Sequence, residues 1–159
     1  AFEALVARWD AWPSDAPVPL AQTYVEAAKS AHRLERFALA ERHYAMACRM
    51  LIERFGQTSI RHVEAAVSRS AMHDKWATAA TSGGESDVQE SAHRVALAAM
   101  TSLLASEGDS VGWVTAEFTR TVQRLVRCLI ARGEVEAARD VEAFERVWSG
   151  LVGRPSSDA

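Results

Sequence analysis

Residues 35–56 read ERFALAERHYAMACRMLIERFG, and their pattern sets the architecture of the chain. Phe37, Ala40, Tyr44, Ala47, Leu51 and Phe55 recur at spacings of three and four, the repeat of one helical face. Leu39, His43, Met46 and Met50 form a second row beside the first. A helix that is apolar on two sides lies between neighbours rather than on a surface. The sequence on either side of it has to supply those neighbours.

On the N-terminal side, residues 19–34 carry Leu20, Tyr24, Ala27, Ala28 and Ala31 as one stripe, and its small residues imply a close partner helix. One or two residues separate this stretch from residue 35, so the two helices fold back as a hairpin. Before it, Phe2, Leu5, Val6 and Trp9 mark a short helix over residues 2–12. That helix stops ahead of Pro13, and residues 13–19 read as a proline-rich linker.

On the C-terminal side, Gly56 stops the helix in a left-handed conformation, and Thr58 or Ser59 can cap the next one. That helix, residues 59–81, carries Ile60, Val63, Val67 and Ala71 in one row, with Ala65, Met72 and Trp76 in a second. Ser82-Gly83-Gly84 breaks the chain. Ser86 with Gln89 and Asp87 with Glu90 then offer capping boxes for a helix bearing Val88, Val95, Ala98, Ala99, Leu103 and Leu104. Past Gly108, capped by Asp109 or Ser110, comes the stripe Val114, Phe118, Val122, Leu125 and Leu129. After Gly133 the last helix holds Val135, Ala138, Val141, Phe144, Val147 and Trp148. The expectation is an all-α fold: a short N-terminal helix, then six long antiparallel helices in three hairpins. One domain covers residues 1–153, and residues 154–159 are a flexible tail.

Composition agrees. Of 159 residues, 48% are hydrophobic and 25% charged, and the net charge is −3. That balance gives no basic footprint for nucleic acid. No apolar run reaches the roughly 20 residues that would span a bilayer. Cys48 and Cys128 both lie in apolar helical patterns, which reads as two buried thiols in an intracellular, cytoplasmic protein. A transit peptide removed ahead of Ala1 would be compatible with an organelle matrix instead.

The hairpins repeat one another. Their second helices begin with Phe37, Val88 or Val135, and three positions on stand Ala40, Ser91 or Ala138. Each is followed by glycine and polar residues: Gly56-Gln57-Thr58, Gly108-Asp109-Ser110 and Gly153-Arg154. In this the chain resembles the tetratricopeptide repeat (TPR) family. That family's second helix carries an aromatic, a small residue three on, an aromatic four further and an alanine three after that. Phe37, Ala40, Tyr44 and Ala47 fit throughout, with Tyr24 and Ala28 at the large and small positions of the first helix. The run AERHYAMACRML looks like the longer kinesin-light-chain-type variety. Leu125, Gly133, Val135 and Ala138 fit in the last hairpin. Glu142 and Glu145 depart from the pattern, which implies a capping helix with a solvated outer side. The middle hairpin departs most, because Gly83-Gly84 spoils the period. The resemblance covers residues 20–56 fully and 114–141 in part, so the array is degenerate. A plain helical bundle with the same alanine-rich spacing is the alternative.

Few constellations carry chemistry. Glu90 and His93 form a Glu-x-x-His pair, the unit that di-iron bundles use twice with two further glutamates; this chain has one copy. Surface polarity beside a cap explains the pair, and exposed positions explain His62, His73 and Asp74. Arg120, Arg124 and Arg127 make a basic stripe, expected to pair with Glu134, Glu136 and Asp140 or to face water. The TPR resemblance implies another role, since first helices line a concave groove where such a stripe grips partner carboxylates. Trp76 and Trp148 read as core. Trp12 and Trp113, at helix ends, are candidate contact points.

The reading is a non-enzymatic protein–protein interaction module, a scaffold or subunit of a larger assembly, with no cofactor or metal, no nucleic acid and no membrane insertion. Its candidate partner-binding residues are Arg120, Arg124, Arg127, Trp12, Trp113, Met46 and Met50. The alternatives are a small helical-bundle metal protein or enzyme centred on Glu90 and His93, and a peptide-sensing regulatory domain. Oligomeric state is not readable from the sequence.

Overall fold

The computed structural model describes residues 17–79, 86–107 and 112–152. Six helices run through them: α1 (Pro17–Arg33), α2 (Phe37–Phe55), α3 (Ile60–Thr78), α4 (Ser86–Glu107), α5 (Gly112–Ala131) and α6 (Val135–Val152). The expected helix over residues 2–12, Trp9 and Trp12, the Ser-Gly-Gly break and the tail lie outside the described residues. So do Asp109 and Ser110. Helix α1 begins at Pro17, earlier than the linker reading placed it. Both Pro17 and Pro19 then fall in a first turn, where a missing N–H costs nothing.

Each helix packs chiefly on its neighbours in sequence, and α1 also meets α3 while α3 meets α5. The odd-numbered helices therefore form one layer and the even-numbered helices the other. This is the stacked-hairpin arrangement of a TPR-like array. The main core runs from Leu20 and Tyr24 through Ala47, Leu51, Val63, Ala66, Ala96 and Met100 to Phe118, Leu125 and Ala138. A smaller cluster of Ala28, Ala31, Phe37, Ala40, Tyr44 and Met72 closes the α1–α2–α3 end. Alanines at the contacts, such as Ala28, Ala40, Ala47 and Ala96, are completely buried and let the helices approach closely.

The α1–α2 and α5–α6 turns are the same turn. Arg36 N–H donates to the Ala31 carbonyl (2.9 Å) and Glu35 N–H to that of His32 (3.0 Å). In the later turn Glu134 N–H donates to Leu129 (2.9 Å) and Gly133 N–H to Ile130 (2.9 Å). This pair of bonds is the Schellman motif, with a left-handed residue at its centre. Gly133 supplies it at φ 79°, and Glu35 supplies it at φ 58°. Helix α2 therefore starts at Phe37, two residues later than its periodicity suggests, because Glu35 is spent on the turn. Gly56 has φ 81° but ψ 171°. That is a region open to glycine alone, rather than the left-handed helical well expected. Ser59 caps α3, its side chain accepting the His62 N–H at 3.2 Å.

The first row of α2 is buried as read, except for Phe55, which is 42% exposed where the last turn runs past its neighbours. The second row, Leu39, His43, Met46 and Met50, is half-buried. The whole α5 stripe is buried. Ile60 and Ala98 are exposed against expectation; on α4, Ala99, Leu103 and Leu104 are buried as read, Val88 and Val95 are half-buried, and Ala92, Ala96, Leu97 and Met100 join the core. The largest departure is α6. Ala138 is its one buried side chain among those described, while Val135, Phe144, Val147 and Leu151 are 45–65% exposed. Its outer side is part acidic, part apolar. Among the described residues no helix is long and apolar enough to cross a membrane.

Candidate interaction surface

Helix α5 buries one face in the array and turns the opposite one outward. Trp113, Ala116, Arg120, Gln123, Arg127 and Ile130 are all exposed, at spacings of three and four. The same periodicity that places Val114, Phe118 and Leu125 inside places this stripe outside. It has a basic centre and an apolar residue at each end, Trp113 at 39% and Ile130 at 54% exposure.

The three arginines have partners other than those expected. Arg120 pairs with Glu117 one turn back. Arg124 is nearly buried, held by Glu117 at 3.6 Å and donating to the Thr121 hydroxyl at 3.4 Å. Arg127 crosses to α3 and places Nη2 at 2.9 and 3.0 Å from the two Asp74 oxygens. None of these contacts is with Glu134, Glu136 or Asp140. Those acids lie on α6 or its approach, whereas the stripe looks toward α3 and away. Arg120 and Arg127 are the arginines a partner can reach, and Arg124 steadies Glu117 between them.

Of the other sequence-selected residues, Met46 and Met50 are packed against the main core and half-covered. The Arg49 guanidinium also lies at 2.9 Å from the Met46 sulfur. Trp113 joins the α5 stripe. Trp76 stacks on Phe37 (5.9 Å between ring centres) and on His73 (5.7 Å), as a core residue at an edge. Trp148 packs on Phe118 and Phe144.

The polar residues read as surface groups are the main correction. His62, His73 and His93 are each at most 2% exposed. His62 Nδ1 lies 2.9 Å from the Gln57 carbonyl and locks the α2–α3 turn. His73 Nε2 meets Glu41 Oε2 at 2.7 Å, and Arg69 Nε donates to the same oxygen at 2.9 Å while its Nη2 bonds Oε1. Burial alone would push the Glu41 carboxyl up. The hydrogen bonds from His73 and Arg69, with the Arg69 charge, outweigh it and leave the carboxyl below its ordinary value. His93 Nδ1 shares a 2.7 Å hydrogen bond with the Ser70 hydroxyl. Burial, together with the nearby His73, pulls its pKa down to about 4, so its ring is neutral near pH 7. Glu90 turns the other way, to Arg94 (2.6 Å) and Arg132 (2.8 Å). Arg132 also holds Asp87 and Glu134, so Glu90 and Asp87 tie α4 to the α5–α6 turn. Glu90 and His93 thus have separate partners. Among the described residues no three His, Cys, Asp or Glu side chains gather to hold a metal ion. Cys48 and Cys128 are buried free thiols, and burial raises Cys48 to about 11.

No family model and no curated protein matches the chain. Among solved structures it is similar to the crystal structure of BtubC (BKLC) from P. vanneervenii. The TM-score is 0.63 and the identity 19%, over 88% of this chain and 51% of that one. The chain therefore spans about half the length of that protein. At this identity the likeness shows a helical-repeat fold.

Proposed function

We propose that the chain is a non-enzymatic protein–protein interaction module, a scaffold or subunit within a larger assembly, and that its contact surface is the outward stripe of α5. The observation that carries this reading is the stripe itself: Arg120 and Arg127 between Trp113 and Ile130, on a helix whose other face is fully packed. A rigid helix with apolar anchors around a basic centre suits an extended or helical partner segment with acidic residues. The kinesin-light-chain-type TPR spacing of the first hairpin and the likeness to BtubC support the same class of protein. An intracellular setting goes with it, since Cys48 and Cys128 are unpaired thiols.

Arg120 and Arg127 already have carboxylate neighbours at the surface, where each pair is worth about 0–1 kcal/mol. A partner carboxylate can replace Glu117 or Asp74 at little cost. The test is capture of native partner proteins by the full chain, set against the double variant Arg120→Glu/Arg127→Glu. The expected result is loss of the captured protein with unchanged far-ultraviolet circular dichroism. Equal capture by both removes α5 as the contact surface. Turnover of a metabolite by the pure chain would remove the non-enzymatic reading.

A further inference from the structure

Arg127 holds Asp74 less completely than Arg69 holds Glu41. In the buried contact between α2 and α3, Arg69 bonds Glu41 through two nitrogens, Nε and Nη2, one to each carboxylate oxygen. That is the filled fork of a guanidinium–carboxylate pair. Arg127 reaches Asp74 through Nη2 alone, at 2.9 and 3.0 Å, and among the described residues no other acceptor meets its guanidinium. The pair is also open to water, with Arg127 57% and Asp74 28% exposed. The fold has little use for it. Helices α3 and α5 already meet in the main core, where Val63 and Val67 of one and Val122 and Val126 of the other are buried. Asp74 also stands just ahead of the last turn of α3, the end of a helix where a negative charge is unfavourable. What its carboxylate does is occupy a guanidinium of the outward α5 stripe. Glu117 differs, because Arg120 and the nearly buried Arg124 share it and keep it in place.

We infer that Asp74 is an internal competitor for Arg127: it holds the arginine until an acidic partner segment displaces it, and so sets the affinity of the α5 surface. The inference rests on the reading of the α5 stripe as the contact surface and adds the partner's chemistry, a protein segment that brings a carboxylate to Arg127 from the solvent side. Arriving along the stripe, that carboxylate meets the unused guanidinium donors and completes the fork that Asp74 leaves half-made. Asp74 then returns to water, which already reaches it. Arg120 bonds Glu117 through Nη1 and keeps donors for a second carboxylate. The two arginines are two helical turns apart, so the partner's carboxylates stand about 10 Å from one another.

The test is binding of fluorescein-labelled polyglutamate to the full chain, followed by anisotropy at low ionic strength, where surface charges are least screened. Asp74→Asn is expected to bind about two- to fivefold tighter than Glu136→Gln. The second variant loses the same charge and likewise frees an arginine, Arg139, but on α6 and away from the stripe. The gain should vanish without Arg127, so that Asp74→Asn/Arg127→Gln binds no tighter than Glu136→Gln/Arg127→Gln. Circular dichroism of each variant confirms that it is folded. Equal affinities of Asp74→Asn and Glu136→Gln overturn the inference, as does a gain that survives Arg127→Gln. If Arg120→Glu/Arg127→Glu still abolishes binding in those cases, the α5 surface stands and only the role of Asp74 falls. Binding that this charge reversal leaves intact removes the surface itself and the inference with it. Absence of binding by the parent and Asp74→Asn alike also overturns the inference.

Discussion

Glu35 does a glycine's work. It holds the left-handed centre of the α1–α2 turn, the place that Gly133 holds in the α5–α6 turn. A side chain in that well costs about 1–2 kcal/mol, and the extra freedom glycine has in the unfolded chain returns about 0.5–1 kcal/mol of that. The Lys75 contact of Glu35, at 3.6 Å and largely exposed, offsets little. Glu35→Gly is therefore expected to stabilise the protein by about 0.5–1 kcal/mol in urea titration. Gly133→Ala is expected to cost about 1 kcal/mol, all of it backbone strain, because an added Cβ meets nothing within 4 Å. His93 acts through protons instead. Its folded pKa is about 4 against an ordinary 6.5, so the unfolded chain takes up a proton first as pH falls. Stability is complete above about pH 6.5 and declines through the window down to about 4, by about 3 kcal/mol for this group. Glu41, whose carboxyl lies below its ordinary value, adds a further loss at the acid end as it is protonated. Urea titrations at pH 7 and near pH 4.5 should show His93→Gln with a clearly smaller drop than the parent. An equal drop would assign the acid sensitivity to other groups.

Between elements, the ties that matter are polar ones set into apolar contacts. Glu41 on α2 receives Arg69 and His73 from α3, and all three are mostly or wholly buried. Removing Arg69 leaves a carboxylate with one partner in a largely dry contact. Arg69→Met is accordingly expected to destabilise the chain by about 3 kcal/mol, and Arg69→Lys to recover only part of that, because lysine lacks the two-pronged fit. Thermal unfolding of the two variants checks the order. These ties also show what the sequence carries and what it hides. The α5 stripe is legible because Val114, Phe118, Val122, Leu125 and Leu129 all point one way and all find a neighbour. His73 is harder to read, although it continues the buried row of His62, Ala66 and Ser70, and His93 continues that of Ala96 and Met100. The spacing was present. A histidine read as polar breaks such a row on paper, and only the partner across the interface, Glu41 or Ser70, shows that it belongs inside. The arginine pairs are hidden from the sequence for a related reason: which acid a side chain meets depends on how helices are set against one another, and helical period says nothing about that.

For the whole molecule, stacking makes stability a sum over neighbours, so it is lowest where neighbours run out. Helix α2 buries Phe37, Ala40, Tyr44, Ala47, Cys48 and Leu51 between α1 and α3. Helix α6 has α5 on one side and, among the described residues, no helix on the other. Among its described side chains it buries Ala138 alone and half-buries Ala137, Val141 and Trp148. The capping role implied by Glu142 and Glu145 is compatible with this, but Val147 and Leu151 gain little from the fold where they stand. Each exposed aliphatic side chain forgoes about 1.5–3 kcal/mol of burial free energy. Helix α6 should therefore open by itself well below the energy of global unfolding. Hydrogen exchange followed by mass spectrometry tests this directly. Peptides from residues 135–152 should exchange at least about a hundredfold faster than those from residues 37–55, and the gap should close as urea brings global unfolding within reach. Uniform protection across both helices would mean that the array unfolds as one unit, with the aromatic stack of Phe118, Phe144 and Trp148 holding α6 more firmly than its burial implies.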